Sequence, residues 1–270
     1  MELELYKILA KFVFEETGIY YGENDYYRLD SRIDKLLKFF QFESKDQLLD
    51  QLKKPQDPDF PAKVIDLCTN NETYFFRDKN PFNALKNHIM PERKGSLSIW
   101  SCACSSGQEP LSILMTILEH EPTRSVDIMA TDISKTILEK AQTGVYNSLE
   151  VQRGLSDTLL NKYFQKADEK NWQARAELLN KIKYSHFNLF SENYPIKKFD
   201  VIFCRNVLIY QNQQNKKKIL ENLYSCLKPG GYLIMGAGES LIGCKVELEQ
   251  KSYDGTMVFK KSIPATAASA

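Results

Sequence analysis

The chain has 270 residues, enough for one large domain plus a small one, and its 43% apolar and 26% charged residues are ordinary for a soluble globular protein. A formal net charge of +1 supplies no global field to recruit nucleic acid or an anionic membrane, and no apolar run approaches the ~20 residues that insert across a bilayer. The start, Met1-Glu2-Leu3-Glu4-Leu5, lacks the basic beginning and apolar core of a signal peptide, so the sequence reads as cytoplasmic.

Residues 1–68 read as a helical domain. Leu5, Ile8, Leu9 and Phe12 follow helical spacing, and Gly18 ends that segment as a C-cap. In the next helix Leu29, Ile33, Leu36, Leu37 and Phe40 form one apolar stripe, with Arg28, Arg32 and Lys35 on nearly the opposite face at ~100° per residue. A third short helix is expected over Asp46–Leu52. Pro55, Pro58 and Pro61 punctuate the next stretch, and Val64–Cys68 closes the region.

From Leu97 onward short apolar runs alternate with helical stretches, which argues for an α/β fold on a parallel sheet. The expected strands are Leu97–Ser101, Val126–Ala130, Ile182–Phe187, Val201–Cys204 and Tyr232–Met235. Helices are expected at Glu109–Leu118, Lys135–Gln142, Gln213–Cys226 and just before the first strand, with Val246–Leu248 and Thr256–Phe259 as a final antiparallel pair. Ser156–Lys181 reads as an insertion with a short helix around Leu159–Phe164 and a polar segment holding Trp172. Residues 264–270 read as a disordered tail. The six cysteines form no C-x-x-C pair and read as free thiols. The histidines His88, His120 and His186 are far apart in sequence, which gives a metal site or a catalytic triad little support.

Two turns carry chemistry. In Ile99-Trp100-Ser101-Cys102-Ala103-Cys104-Ser105-Ser106-Gly107-Gln108-Glu109-Pro110 a strand runs through small residues into a helix. Small side chains let backbone approach a ligand, and the helix N-terminus offers free N–H groups. A tight βα turn with no ligand accounts for this segment equally well. Asp132, in Ala130-Thr131-Asp132-Ile133-Ser134, follows the next strand 25 residues after Gly107. In doubly wound folds an acid at this point binds the ribose hydroxyls; the plain alternative is that Asp132 or Ser134 caps the following helix. Together the two turns favour a ligand.

The resemblance then becomes specific. Thr69-Asn70-Asn71-Glu72-Thr73-Tyr74-Phe75-Phe76-Arg77-Asp78, the Trp100–Pro110 block, Ala130–Ser134 with its continuation to Gly144-Val145-Tyr146, Phe199-Asp200-Val201-Ile202-Phe203-Cys204-Arg205-Asn206-Val207-Leu208-Ile209-Tyr210, and Leu227-Lys228-Pro229-Gly230-Gly231-Tyr232-Leu233 with Gly238-Glu239-Ser240 resemble, in order and spacing, the CheR family of chemotaxis receptor glutamate methyltransferases. The resemblance implies a doubly wound Rossmann-like methyltransferase sheet with a small N-terminal all-helical domain. It divides the chain into the helical domain 1–68, a linker 69–88 covering the cofactor, and an S-adenosylmethionine-binding domain 89–263 carrying the insertion 156–181.

The resemblance also implies roles. Asn71, Thr73 and Arg77 belong to the linker over S-adenosylmethionine. Glu109 meets the cofactor's amino-acid portion and Asp132 its ribose, while Asn188 and Leu189 flank the adenine. Arg205 and Asn206 face the cofactor from a strand end, and Arg77 and Tyr210 sit closest to the transferred methyl. Tyr74, Phe75 and Phe76 are expected to pack, and Arg205 has the plain alternative of pairing with an acidic neighbour. The products are a glutamate methyl ester and S-adenosylhomocysteine. The nucleophile is already ionised at neutral pH, with a pKa of ~4.3, so no general base is needed. The partner implied is the cytoplasmic helical region of a methyl-accepting receptor, met by Arg28, Arg32 and Lys35, although residues 1–68 carry 10 Lys/Arg against 14 Asp/Glu and net −4. A related methyltransferase acting on another protein or a small molecule is the competing reading. Three features depart from the family pattern: Gln108 replaces the first of two acids, Gln211 replaces an aromatic after Tyr210, and the insertion shows no glycine-containing loop of the kind that docks a receptor tether.

Overall fold

A computed structural model describes residues 2–244 and 246–263; the tail at 264–270, read above as disordered, lies outside the described residues. The chain opens with four helices, α1 (Glu2–Thr17), α2 (Tyr27–Phe40), α3 (Lys45–Lys53) and α4 (Phe60–Cys68). Each starts or stops where its sequence provides a reason. Gly18 leaves α1 with φ +72°, and a Cβ there would lie 2.6 Å from the Gln211 side chain, so both conformation and space require glycine. The Ser44 hydroxyl accepts from Gln47 N–H to cap α3, and Pro61 occupies the first turn of α4. Leu5, Leu9, Val13, Leu29, Ile33, Leu36, Leu48, Leu52, Phe60 and Val64 close a core separate from the rest of the molecule.

Residues 69–79 cross to the larger unit. Helical turns then run through Asn80–Ala84, Leu85–Ile89 and Met90–Glu92, the middle one widened to π geometry. The strands come next: β1 (Leu97–Cys102), β2 (Val126–Asp132), β3 (Val145–Asn147), β4 (Phe164–Lys166), β5 (Asn171–Ala174), β6 (Ile182–His186), β7 (Phe199–Cys204), β8 (Leu227–Met235), β9 (Leu248–Tyr253) and β10 (Thr256–Lys261). Seven form one sheet in the order β6-β2-β1-β7-β8-β10-β9, parallel through β8 and antiparallel beyond it. Alternation along the strands separates two cores. Ile99, Val201, Phe203 and Ile234 face the Gln108–His120 helix, whereas Trp100, Ile202, Cys204 and Leu233 face the Gln213–Cys226 helix. Burial on both faces explains why these strands read as continuous apolar runs. Strand order reverses between β1 and β7, so the crevice where open α/β sheets bind ligands lies beyond Cys102 and Cys204.

Two elements differ from expectation. The final antiparallel pair exists, but its first strand begins at Leu248 rather than Val246 and runs through Glu249-Gln250-Lys251-Ser252. An edge strand tolerates such polarity, and its register is set by Asp254 and Gly255, both at positive φ in the hairpin turn. The insertion is also more ordered than a helix and a polar segment. Its helix, Asp157–Tyr163, leads into β4, and the Trp172 segment is β5, the centre of a three-stranded sheet β3-β5-β4. The Lys166 ammonium lies 4.2 Å from the ring centre of its cross-strand partner Trp172. The β4–β5 connection, residues 167–170, contains no glycine; the Asp168 carboxylate closes it by accepting from Lys170 and Asn171 N–H.

Candidate active site

Helical domain, linker and sheet converge on the C-terminal end of β1. Ala103, Ser105 and Gly107 all take positive φ, at +53°, +51° and +89°. Non-glycine residues held this way cost roughly 1–3 kcal/mol each and persist where surrounding contacts fix them. The contacts are visible: Cys104 N–H donates to the Thr131 carbonyl (2.9 Å), Ser105 N–H to Asp132 Oδ2 (2.8 Å), and the Ser105 hydroxyl to the Asn71 carbonyl (2.8 Å). At Gly107 a Cβ would come within 3.1 Å of Ala141 and of the Tyr184 and Tyr146 hydroxyls.

Asp132 ends β2 and is only 5% exposed. Its other oxygen accepts from Ser134 N–H (3.0 Å), while the Ser134 hydroxyl caps the next helix through Ile137 N–H, so helix capping falls to Ser134. Burial pushes the Asp132 carboxyl above its ordinary range, against the opposing pull of N–H groups from Ser134, Ser105 and Ile133. A carboxylate has about four acceptor sites, and two are used by backbone, which leaves both oxygens able to accept from a vicinal diol.

Beside it lies a buried ion cluster. The Glu109 carboxylate accepts from the Ser101 hydroxyl (2.7 Å) and from Arg205 Nη1 (3.0 Å). Arg205 Nη2 donates to Asp78 Oδ2 (3.0 Å) and to the Arg77 carbonyl (2.7 Å), and the guanidinium lies 5.7 Å from the Phe82 ring centre. The pairing with acidic neighbours is therefore present, but it does not exhaust Arg205: its buried Nε has no acceptor among the described residues.

Residues from the crossing segment 69–79 line one part of the cavity at this site. Arg77 Nη1 donates to the Glu72 carbonyl (2.8 Å), Arg153 Nη2 to the Glu72 carboxylate (2.9 Å), and Arg153 stacks 4.2 Å from the Tyr74 ring centre. Phe75 is fully buried against Tyr146 and Phe164, and Phe76 meets Phe82 edge-on, so both pack as expected. Tyr74 instead lines the cavity.

One cavity is lined by Asn71, Thr73, Arg77, Glu109, Asp132, Arg205, Asn206 and Tyr210 among others. An adjoining lobe, sharing Ile19, Ala103, Ile133 and Val207 with it, is walled by Phe187, Asn188, Leu189 and Gln211. The residues given catalytic or cofactor-contacting roles above all line one or other of these two adjoining spaces. The Asn188 side chain is held in place, donating to the Glu16 carbonyl (2.7 Å) and accepting from Phe190 N–H (2.9 Å), which leaves one donor and one acceptor position of its amide unused. Gln211 belongs to this lobe rather than to the groove near Tyr210, and Gln108 is buried, accepting from the Ser106 hydroxyl (2.8 Å).

Three features escaped the sequence reading. Glu239 accepts from five backbone N–H groups, those of Gly236, Asn206, Val207, Leu208 and Ile209, at 2.7–3.3 Å, and so shapes the turn carrying Asn206 and Tyr210. Asn70 donates from Nδ2 to the Tyr210 hydroxyl (2.8 Å). Arg28 does not lie on a remote face of α2: its guanidinium is 5.8 Å from the Tyr210 ring centre and 5.4 Å from that of Tyr21. The helical domain is held to this edge by Tyr20 N–H donating to the Tyr210 carbonyl (2.8 Å) and by Asn215 Nδ2 donating to the Gly18 carbonyl (3.2 Å).

The chain is also similar to known proteins. The family model described as CheR methyltransferase, SAM binding domain, matches residues 71–257. A chemotaxis protein methyltransferase of Pseudomonas putida, Cher2, is 41% identical over 243 residues, covering 86% of this chain and 88% of the relative. A chemotaxis protein methyltransferase of Vibrio parahaemolyticus is 36% identical over 263 residues, covering 94% and 96%. One from Escherichia coli K12 is 30% identical over 241 residues, covering 87% and 84%.

Proposed function

Because the chain belongs to the CheR methyltransferase family, whose members act in chemotaxis with S-adenosylmethionine, we propose that it esterifies glutamate side chains on the cytoplasmic helical region of a methyl-accepting chemotaxis receptor. The observation that carries this reading is a cavity that pairs a buried acid and a buried guanidinium with Arg77 and with Tyr210, whose ring centre lies 5.8 Å from the Arg28 guanidinium.

The residues present fit the cofactor. Asp132 offers paired acceptors to a ribose diol, the unpartnered Arg205 Nε suits a carboxylate, Glu109 suits an ammonium, and the lobe at Leu189, Phe187 and Ile133 suits a flat base. Bound S-adenosylmethionine supplies an electrophilic methyl group on a sulfonium. The chain's own task is to deliver an ionised carboxylate in line and to exclude water. Positioning of this kind is worth up to ~7–11 kcal/mol. Arg77, which lines the cavity, orients the carboxylate by a charge-assisted bond. Binding it too tightly would stabilise reactant over transition state, so a single well-aimed contact serves better than a bidentate clamp. No proton is moved in this reaction, because the nucleophile is already ionised.

This chemistry has a pH signature. Single-turnover transfer to a receptor fragment is expected to stay flat from about pH 6 to 8, because a glutamate with pKa near ~4.3 is ionised throughout. A rate that climbs with pH across that window would identify an amine nucleophile and replace the glutamate reading.

Docking follows from Arg28, Arg32 and Lys35. The apolar residues Leu29, Ile33 and Leu36 of α2 are buried, and Arg28 at the start of the basic face lies beside the ring of Tyr210, which lines the cavity. An acidic receptor helix laid along this face places its glutamate beside Tyr210. Reversing the three charges to glutamate should raise the receptor concentration needed for half-maximal rate by roughly tenfold at low salt, and less at high salt, where exposed charges are screened. S-adenosylhomocysteine affinity, read by calorimetry, should not change. Normal methylation by the triple variant at low salt would remove this face from docking.

A further inference from the structure

Asn70 and Tyr210 form a hydrogen bond whose direction has consequences. Asn70 Nδ2 donates to the Tyr210 hydroxyl oxygen at 2.8 Å, and both residues line the cavity. An amide NH₂ has no lone pair to offer, so the phenolic proton cannot point back along this line. It takes the other in-plane position, where the hydroxyl finds no acceptor among the described residues. From this geometry we infer that Asn70 is a positioning residue, which turns the Tyr210 O–H into a donor committed to the incoming substrate carboxylate.

The inference rests on the glutamate reading above and deepens it, since Tyr210 could otherwise serve only as an aromatic wall. A phenol free to rotate must give up a bond to water or a neighbour before it donates to substrate. With its oxygen occupied by Asn70, the proton is already directed when the carboxylate arrives. The Tyr210 ring is held as well, through the backbone bond from Tyr20 and the Arg28 guanidinium beside its face. Asn70 thereby acts through Tyr210, and it needs no contact of its own with either reactant.

Asn70→Asp tests this because it preserves shape and reverses the bond: a carboxylate can only accept, so the Tyr210 proton would turn toward residue 70. The experiment compares Asn70→Asp, Asn70→Ala and Tyr210→Phe, together with both Asn70 variants in the Tyr210→Phe background. The rate is followed in single turnover on a glutamate-bearing receptor fragment, and the affinity of that fragment for the S-adenosylhomocysteine-loaded protein is measured in parallel. Asn70→Asp and Tyr210→Phe should each slow transfer about tenfold, equivalent to about 1.4 kcal/mol. Asn70→Ala should do less, and neither Asn70 change should cost anything further once the hydroxyl is gone. Simple repulsion by the new aspartate would persist in the Tyr210→Phe background and lower fragment affinity in both, which would overturn the inference. Undiminished transfer by Asn70→Asp would overturn it too. If the unaltered chain forms no ester on the fragment, the glutamate reading fails; fragment affinity then still decides the inference, which requires Asn70→Asp and Tyr210→Phe to weaken binding to the same extent and without addition.

Discussion

Arg205→Met is expected to lower folding stability by about 3–5 kcal/mol, because it strands a buried acid rather than merely deleting a contact. The Arg205 side chain is 1% exposed and bonds Glu109, Asp78 and the Arg77 carbonyl at once. Methionine keeps the length and the contact with Phe82 but leaves Glu109, 12% exposed, without its cation. Urea unfolding should show a lower midpoint at unchanged slope. Arg205→Lys keeps the charge but presents one ammonium where a planar fork reaches several acceptors, so it should fall between parent and methionine variant. Combining Arg205→Met with Glu109→Gln should recover part of the loss, since the stranded charge is then gone. A methionine variant as stable as the parent would show that the cluster contributes little beyond shape.

Asp132→Ala should weaken S-adenosylhomocysteine binding by about 3 kcal/mol or more, on the order of 150-fold in Kd, if two charge-assisted bonds to the ribose are lost. Alanine also leaves Ser105 and Ser134 N–H without their acceptor. Asp132→Asn, which keeps the shape, therefore runs beside it, with circular dichroism to confirm the fold. Acidification separates the two further. Burial raises the Asp132 carboxyl and so favours its protonated form. Taken alone, the group stabilises the fold most below its unfolded pKa of ~3.9 and loses that contribution as pH rises through the raised folded value. Cofactor binding has the opposite preference, because a diol needs the ionised acceptor. Affinity of the parent should drop as pH falls toward the raised pKa, and affinity of the asparagine variant should stay level. A calorimetric titration in which Asp132→Ala binds as the parent does would take Asp132 out of the site.

Legibility in the sequence tracks the range of the forces involved. β1 and β7 are buried along their whole length and β2 over most of its C-terminal half, so their apolar runs stand out, and the acids and cations at their ends can be located by position. Asp132 could be placed because its neighbours in sequence are also its neighbours in space. β9 and the small β3-β5-β4 sheet lack that signature: β9 is largely polar and exposed, and the strands of the small sheet are only three or four residues long, too short for an alternating pattern to stand out. Glu239 was hidden for another reason. Its acceptors serve N–H groups some 30 residues upstream, and backbone donors leave no trace in side-chain identity. Asn70 and Arg28 likewise reach the site by contact with Tyr210, 140 and 182 positions away. Helical periodicity separated the basic and apolar faces of α2, but the packing of the helical domain on the sheet decided which ring Arg28 would meet.

The glutamate ester itself offers the most direct test. The chain is incubated with S-adenosylmethionine radiolabelled in its methyl group and with cytoplasmic fragments of methyl-accepting receptors, and the washed protein is then exposed to mild base. The account predicts receptor-bound label that leaves as volatile methanol on base treatment, maps to glutamate, and is absent from a fragment whose mapped glutamates are replaced by alanine. Label that survives base, or that persists when those glutamates are removed, would contradict esterification and assign the methyl to another acceptor.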